Sequence, residues 1–365
     1  MTAKVVHLVA GARPNFMKVA PLLHALKREP WCRPMLVHTG QHYDADMSDA
    51  FFRDLGLPAP DHYLGVGSGS HAEQTAAVMT AYERLCVANR PDWVVVVGDV
   101  NSTMAAAITA KKLNLPVAHL EAGLRSFDRT MPEEINRILT DSIADLLWTP
   151  SPDADDNLRR EGVPPERIVR VGNIMIDSLE MQRSRIEKAR QERHEGSAGP
   201  YAIVTLHRPA NVDDKSVLAQ AVEGIRAVAS RLNVIFPVHP RTRERLVQGG
   251  LLDGLASAPG VRLLPPLSYI EFMSYVFGAR IVVTDSGGVQ EETSYLGIPC
   301  VTLRPNTERP ITVTQGTNRL ASIATLDQAV EAVFSQPSGQ GRAPDLWDGR
   351  TAGRVVASLK QVLVV

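Results

Sequence analysis

The chain lacks an excess of charge of either sign. Thirty-nine lysines and arginines stand against 40 aspartates and glutamates, a formal net charge of −1. Such a chain offers no electrostatic footprint for a nucleic-acid backbone or an anionic membrane, so neither is expected as a partner. Cysteine is scarce. Cys32, Cys86 and Cys300 lie far apart, form no CxxC, and leave one unpaired by arithmetic, which is the usage of reduced thiols in a cytoplasmic protein. Cys300, in the apolar run IPCVTL, reads as a small core residue. There is no run of 18 apolar residues, so no segment is expected to span a membrane. The short apolar stretch Val5–Ala10 runs straight into Gly11-Ala12-Arg13-Pro14 without a small-residue cleavage site, and reads as a buried strand and not a leader.

Several catalytic signatures are missing as well. Without GxxxxGK[ST] a P-loop kinase is excluded, and without GxGxxG after the first strand a dinucleotide cofactor has no support. No HExxH or paired Cys/His spacing marks a zinc site. DxD occurs twice, at Asp44-Ala45-Asp46 and Asp153-Ala154-Asp155, and both read as polar loop or cap residues.

What the chain does have is length and alternation. At 365 residues it exceeds what one core usually holds, so two domains are expected. Apolar runs such as KVVHLVA (4–10), DWVVVVGD (92–99), YAIVTLH (201–207), NVIFPVH (233–239) and RIVVTDSG (280–287) alternate with helix-like stretches. Unbroken Val/Ile/Leu runs are the mark of parallel strands buried on both faces. The fold class is therefore α/β, with two doubly wound domains. The stretch IEKARQERHEGSAGP (186–200) turns from charged to small and flexible, as a surface connection near a domain boundary does. The expected division is 1–172 with a last helix over about 349–365 packing back on it, and 173–348.

In open parallel sheets ligands bind outside the carboxyl ends of the strands. There stand Arg13 and Lys18; Asp99; Glu121; His207 and Arg208; His239; Asp285-Ser286-Gly287-Gly288; Arg304; and Glu308-Arg309. Aspartate at such points is often only a helix cap, but glutamate and histidine cap poorly. Ser286-Gly287-Gly288 is the clearest anion site, because glycine lets backbone N–H groups approach a phosphate at a helix N-terminus. Arg13 and Arg309 fit as guanidinium clamps on a diphosphate. Glu292, one turn on, suits ribose hydroxyls, or else serves as a solvated helix residue. Asp99, Glu121, Glu133, Glu134 and His207 are the acid/base candidates. Carboxylates gathered in one cleft would repel, so one of them is expected to hold its proton near neutrality.

The segments GARPNFMKVAPL (11–22), TGQHYDADM (39–47), VVGDVNSTMAAA (96–107), HLEAGLRS (119–126), MPEEINR (131–137), TLHRP (205–209), PVHPR (237–241), TDSGGVQEET (284–293) and TERP (307–310) resemble, in that order, the non-hydrolysing UDP-N-acetylglucosamine 2-epimerases. The resemblance covers about residues 4–320. It implies two Rossmann-like domains facing across a cleft in the glycosyltransferase-B arrangement, and a homodimer. The implied substrate is a UDP-sugar, with no nicotinamide and no metal. The implied reaction removes the carbon-2 proton and expels UDP to give 2-acetamidoglucal, then adds UDP back with the proton on the opposite face. By motif, Arg13 and Lys18 resemble the family's phosphate-side cations, and Asp99, Glu121 and Glu133 its acid/base carboxylates. The loop from Glu121 to Pro132 is shorter than in well-studied members, which leaves Glu134 as an alternative to Glu133. His207 matches the histidine serving the leaving diphosphate. Ser286, Gly287, Gly288, Glu292 and Arg309 match the UDP site, and Phe272 falls where uracil is held.

Two departures stand out. HRPANVD (207–213) replaces an Arg-Arg-Glu run, and Gln41-His42 is followed by Tyr43-Asp44 in place of basic and amide residues. Weak or absent activation by a second substrate molecule is expected from the latter. The sugar stays open between UDP-N-acetylglucosamine and a UDP-2,3-diacetamido uronic acid. The competing readings are a glycosyltransferase of the same shape, a catalytically dead UDP-sugar sensor and a hydrolysing epimerase.

Overall fold

The computed structural model describes residues 3–40, 52, 54–193, 199–335 and 343–364. They pack as two compact units, Met1–Met181 with Asp345–Val365, and Gln182–Pro344. The first unit thus runs to Met181, past the expected 172, because the first half of helix Ile174–Glu192 packs within it.

The sheet of the first unit holds β1 (Lys4–Ala10), β2 (Cys32–His38), β3 (His62–Tyr63), β4 (Trp93–Val97), β5 (Val117–Leu120), β6 (Leu146–Thr149) and β7 (Ile168–Arg170). Their order is β3-β2-β1-β4-β5-β6-β7, and every pairing is parallel. All five residues of β4 are buried, as the continuous valine run requires of a central strand covered on both faces. Helix Thr351–Leu363 returns to this unit and packs on helix Arg13–Leu26. Two indoles anchor it. Trp148 Nε1 donates to Ser358 Oγ at 3.0 Å, and Trp347 Nε1 donates to the carbonyl of Pro150 at 2.9 Å.

In the second unit stand β8 (Tyr201–Thr205), β9 (Asn233–Pro237), β10 (Val261–Leu264), β11 (Ile281–Thr284), β12 (Cys300–Leu303) and β13 (Asn318–Ala321). The order β10-β9-β8-β11-β12-β13 repeats the first sheet's winding, again wholly parallel. Its core joins Val204, Phe236, Val283 and Val301 of the strands to Val222 and Ile225 of helix Lys215–Ala229 and Leu326 beyond β13. Burying each such aliphatic side chain contributes about 1.5–3 kcal/mol.

In both sheets the winding reverses once, between β1 and β4 and between β8 and β11. A crevice opens at such a switch point, since the chains leave adjacent strand ends in opposite directions. The three cysteines are free and buried. Among the described residues no helix is long and apolar enough to cross a membrane.

Candidate active site

At the switch point of the first sheet the backbone comes unusually close to side chains. A Cβ on Gly11, just past β1, would stand 2.2 Å from Ser102 Oγ and 2.7 Å from Thr39 Oγ1, so only glycine fits. Helix Arg13–Leu26 starts there, with Asn15 Oδ1 accepting from the N–H of Ala12 at 3.1 Å and Asn15 Nδ2 donating to the carbonyl of Val97 at 2.8 Å. One turn further, Lys18 reaches Glu121, and both are buried. Gly98, just past β4, takes φ +68°, and a Cβ on it would lie 3.1 Å from Lys18 Nζ and 3.4 Å from Glu121 Oε2. Glu121 itself has φ +76°, a conformation that costs a non-glycine residue about 1–3 kcal/mol. Strain of that size persists only where the surroundings enforce it, and here it turns the carboxylate onto Lys18.

Asp99 follows Gly98. Arg137 holds it through Nη2 at 2.5 Å and Nε at 3.0 Å, while Arg137 Nη1 binds Glu134 at 2.8 Å. Arg137 and Glu134 share helix Pro132–Ile143, three residues apart and therefore on one face. Glu134 also accepts from the N–H of Ser126 at 2.9 Å and of Phe127 at 2.8 Å. Burial opposes its charge, but these donors and Arg137 outweigh that and hold its carboxyl below the usual range. Glu134 is thus committed to the loop before the helix, whereas its neighbour Glu133 is exposed. The expected mutual repulsion of carboxylates needs correction: Asp99 and Glu121 each face their own cation.

Behind these groups lies a buried chain of charge. His119 Nδ1 meets Asp141 Oδ1 at 2.6 Å, and its Nε2 meets the carbonyl of Gly98 at 2.8 Å. Asp141 also accepts from the N–H of Gly123 at 3.0 Å and pairs with Arg125 at 2.7 Å. Complete burial works against the charge on Asp141, but His119 and Arg125 prevail and lower its pKa. One chain thereby fixes the backbone beside both Asp99 and Glu121.

At the second sheet's switch point, His207 Nδ1 lies 2.7 Å from Asp285 Oδ1. Asp285 Oδ2 accepts from the N–H groups of His207 at 3.0 Å and Arg208 at 2.9 Å. Although burial opposes it, His207 and these N–H donors keep Asp285 below the ordinary carboxylate range. The rings of His207 and His239 are 5.7 Å apart. His239 is lowered by burial first and by His207 second.

Helix Gly287–Leu296 opens beside that pair. Ser286 precedes it without a side-chain cap, and its first turn holds no acidic residue. A Cβ on Gly288 would touch nothing within 4 Å, so the backbone there is open to an approaching group. Glu292 is buried and not solvated; it accepts from Tyr269 Oη at 2.7 Å. Phe272 shares helix Tyr269–Val276 with Tyr269, three residues on, and is partly buried. Arg309 lies between Glu291, at 2.7 Å from its Nε, and Glu308, at 2.5 Å from its Nη1.

Lys18, Asp99 and Glu121 therefore come together on the first unit, and His207, Ser286–Gly288, Glu292 and Arg309 on the second. The Arg13 side chain and the segment Gln41-His42-Tyr43-Asp44, with the first DxD, lie outside the described residues. The second DxD is structural, with Asp155 bound to Arg170 at 2.5 Å and to Thr149. Sequence reading gave no role to Arg137, His119, Asp141 or Asp285. Arg137 stands in MPEEINR and Asp285 at a strand end, but Asp99 and His207, which they meet, come from distant segments.

Two parallel α/β units with one winding, each with a switch point where charged groups or an open helix N-terminus stand, define the doubly wound α/β class with the glycosyltransferase-B-like fold. The family model for UDP-N-acetylglucosamine 2-epimerase matches residues 24–360. The UDP-N-acetylglucosamine 2-epimerase of Methanocaldococcus jannaschii is 41% identical over 92% of this chain and 95% of its own. The UDP-2,3-diacetamido-2,3-dideoxy-D-glucuronate 2-epimerase of Pseudomonas aeruginosa is 40% identical, over 89% and 90%. A crystal structure of the Methanocaldococcus jannaschii enzyme in complex with UDP-GlcNAc and UDP superimposes with a TM-score of 0.85 at 39% identity, covering 98% of this chain and 99% of that one. This chain belongs to the UDP-N-acetylglucosamine 2-epimerase family, and is an isomerase of that kind.

Proposed function

We propose that the protein interconverts UDP-N-acetylglucosamine and UDP-N-acetylmannosamine by inverting carbon 2 of the sugar. The observation carrying this reading is the first unit's switch point, where Glu121 is turned onto Lys18 by a strained backbone and Asp99 is forked by Arg137. A carboxylate oriented by a fixed cation is suited to move a proton at carbon.

In the proposed reaction one carboxylate takes the carbon-2 proton. The electron pair of that C–H bond forms the C1–C2 double bond of 2-acetamidoglucal, and the C1–O bond breaks with its electron pair leaving on UDP. UDP then adds back at carbon 1, while a carboxylate on the other face returns a proton to carbon 2. Asp99, Glu121 and Glu133 supply the acid and base. The engagement of Glu134 with Ser126, Phe127 and Arg137 favours Glu133 as the third. His207, backed by Asp285, serves the departing diphosphate. Lys18, Arg13, Arg309 and the N–H groups of Ser286–Gly288 hold the phosphates, Glu292 the ribose and Phe272 the uracil. The chemistry asks for no nicotinamide and no metal.

The protein works in the cytoplasm as a homodimer and supplies an activated amino sugar for cell-surface polysaccharide. The near-neutral charge and the free cysteines support the first. Ile135 and Leu139, 46% and 42% exposed on one face of helix Pro132–Ile143, support the second. The test is proton NMR of the protein with UDP-N-acetylglucosamine in D2O and no acceptor. A growing UDP-N-acetylmannosamine anomeric signal with deuterium entering carbon 2 is expected. The 40% identity to the diacetamido uronate enzyme favours that UDP-sugar as the second reading. Turnover of it alone would replace the substrate, and silence with both would leave a glycosyltransferase or a sensor.

A further inference from the structure

We propose that Arg304 is a phosphate-binding residue of the nucleotide site, an inference that rests on the nucleotide-sugar reading above. Arg304 follows β12 and is only 4% exposed. Burying a guanidinium is costly unless its donors are used. Its Nη2 forms an ion pair with Glu308 Oε2 at 2.9 Å. Its Nη1 is buried and finds no hydrogen-bond partner among the described residues. That same Nη1 lies 3.9 Å from where a Cβ on Gly287 would stand. It is therefore at the N-terminus of helix Gly287–Leu296, whose first turn carries neither a side-chain cap nor an acidic residue. The open helix end and the unused buried donor are independent features, and both call for an anion at one spot.

The neighbouring charges narrow the kind of anion. Glu291, Arg309, Glu308 and Arg304 form a chain of two cations and two anions, so the site gains little net charge from them. Glu308 Oε1 would come within 2.9 Å of a Cβ on Gly287, so the missing side chain leaves the passage narrow. What the site offers is directed N–H groups from the helix end and two guanidiniums. That suits a phosphate of a nucleoside diphosphate, with acceptor oxygens pointing several ways, better than a carboxylate.

The test titrates UDP into the wild-type protein, Arg304→Met and Arg304→Lys by calorimetry, and follows uridine by saturation-transfer NMR. Methionine leaves Glu308 still paired with Arg309, and lysine keeps the charge should methionine prevent folding. A lost charge-assisted hydrogen bond predicts UDP binding weaker by about tenfold to a hundredfold in Arg304→Met, and by a smaller factor in Arg304→Lys. Uridine binding is expected to be unchanged. Equal UDP affinity in the folded variants, or the same loss for uridine as for UDP, would reduce Arg304 to a structural residue and overturn the proposal while the nucleotide reading stands. Failure of the wild-type protein to bind UDP would instead sink that reading, and this proposal with it.

Discussion

At Glu292, burial decides the chemistry before any ligand arrives. Burial is the largest influence and, with the negative Glu291 nearby, pushes the carboxyl up to about 7 against the pull of the Tyr269 hydroxyl. The folded protein therefore holds this proton more tightly than the unfolded chain. The resulting stability is complete below the ordinary value of 4.5 and is lost as pH rises through about 7. The expected loss is at most about 3 kcal/mol across that window. Glu292→Gln should remove it, so the difference between wild type and variant in denaturant unfolding at about pH 5 and about pH 8 isolates the effect. A difference that does not move with pH would mean that Glu292 is solvated after all. The residue pattern allows ribose contact or a solvated helix residue here and does not show the burial, because Tyr269 arrives from another helix. The same holds for Asp99, Glu121 and His207. Each stood out as a charge at a strand end, but Arg137, the Lys18 contact and Asp285 come from segments far along the chain, and local pattern carries no record of them.

Elements were more legible than partners. The central strands β4, WVVVV, and β11, IVVT, are valine-rich runs, and the requirement that both faces be buried writes itself into the residues. The edge strands β3 and β13 leave no such run in the sequence. The first is two residues long, and the second, NRLA, is half-polar, because an edge needs less apolar surface. The last helix was expected to return to the first domain, but what fixes it was hidden. Its N-cap, Arg350, offers no side-chain cap. Asp177 takes that role from a distance, accepting from the N–H of Thr351 at 3.1 Å and of Ala352 at 2.8 Å. Asp177→Ala should therefore lower stability by about 1–2 kcal/mol, as loss of a cap does. Burial pushes the Asp177 carboxyl up despite those N–H groups, so a neutral acceptor is no handicap there, and Asp177→Asn should cost clearly less. Equilibrium unfolding in urea checks both. Equal costs would show that packing, and not the cap, holds the helix.

Over the whole molecule, one winding is used twice, and the proposed chemistry is divided between the copies. Each unit has its own parallel sheet with its own switch point, and near-neutral overall charge coexists with two strongly charged sites because their cations and anions are paired locally. Charge totals could not reveal the sites for that reason. The division has a measurable consequence. Asp99 belongs to the unit proposed to act on the sugar, and Arg309 to the one proposed to hold the nucleotide. Asp99→Asn should lower kcat by about a hundredfold to ten-thousandfold, the span of general acid–base catalysis, and leave UDP affinity intact. Arg309→Ala should weaken UDP binding by about tenfold to a hundredfold, the cost of losing a charge-assisted contact. Groups without shared partners act independently, so the double variant should combine the kcat of the first with the UDP affinity of the second. Steady-state rates and UDP calorimetry on the three variants decide it. If Asp99→Asn alone weakens UDP as much as Arg309→Ala does, the two units do not divide the ligand between them, and the carboxylates at the first switch point serve binding more than proton transfer.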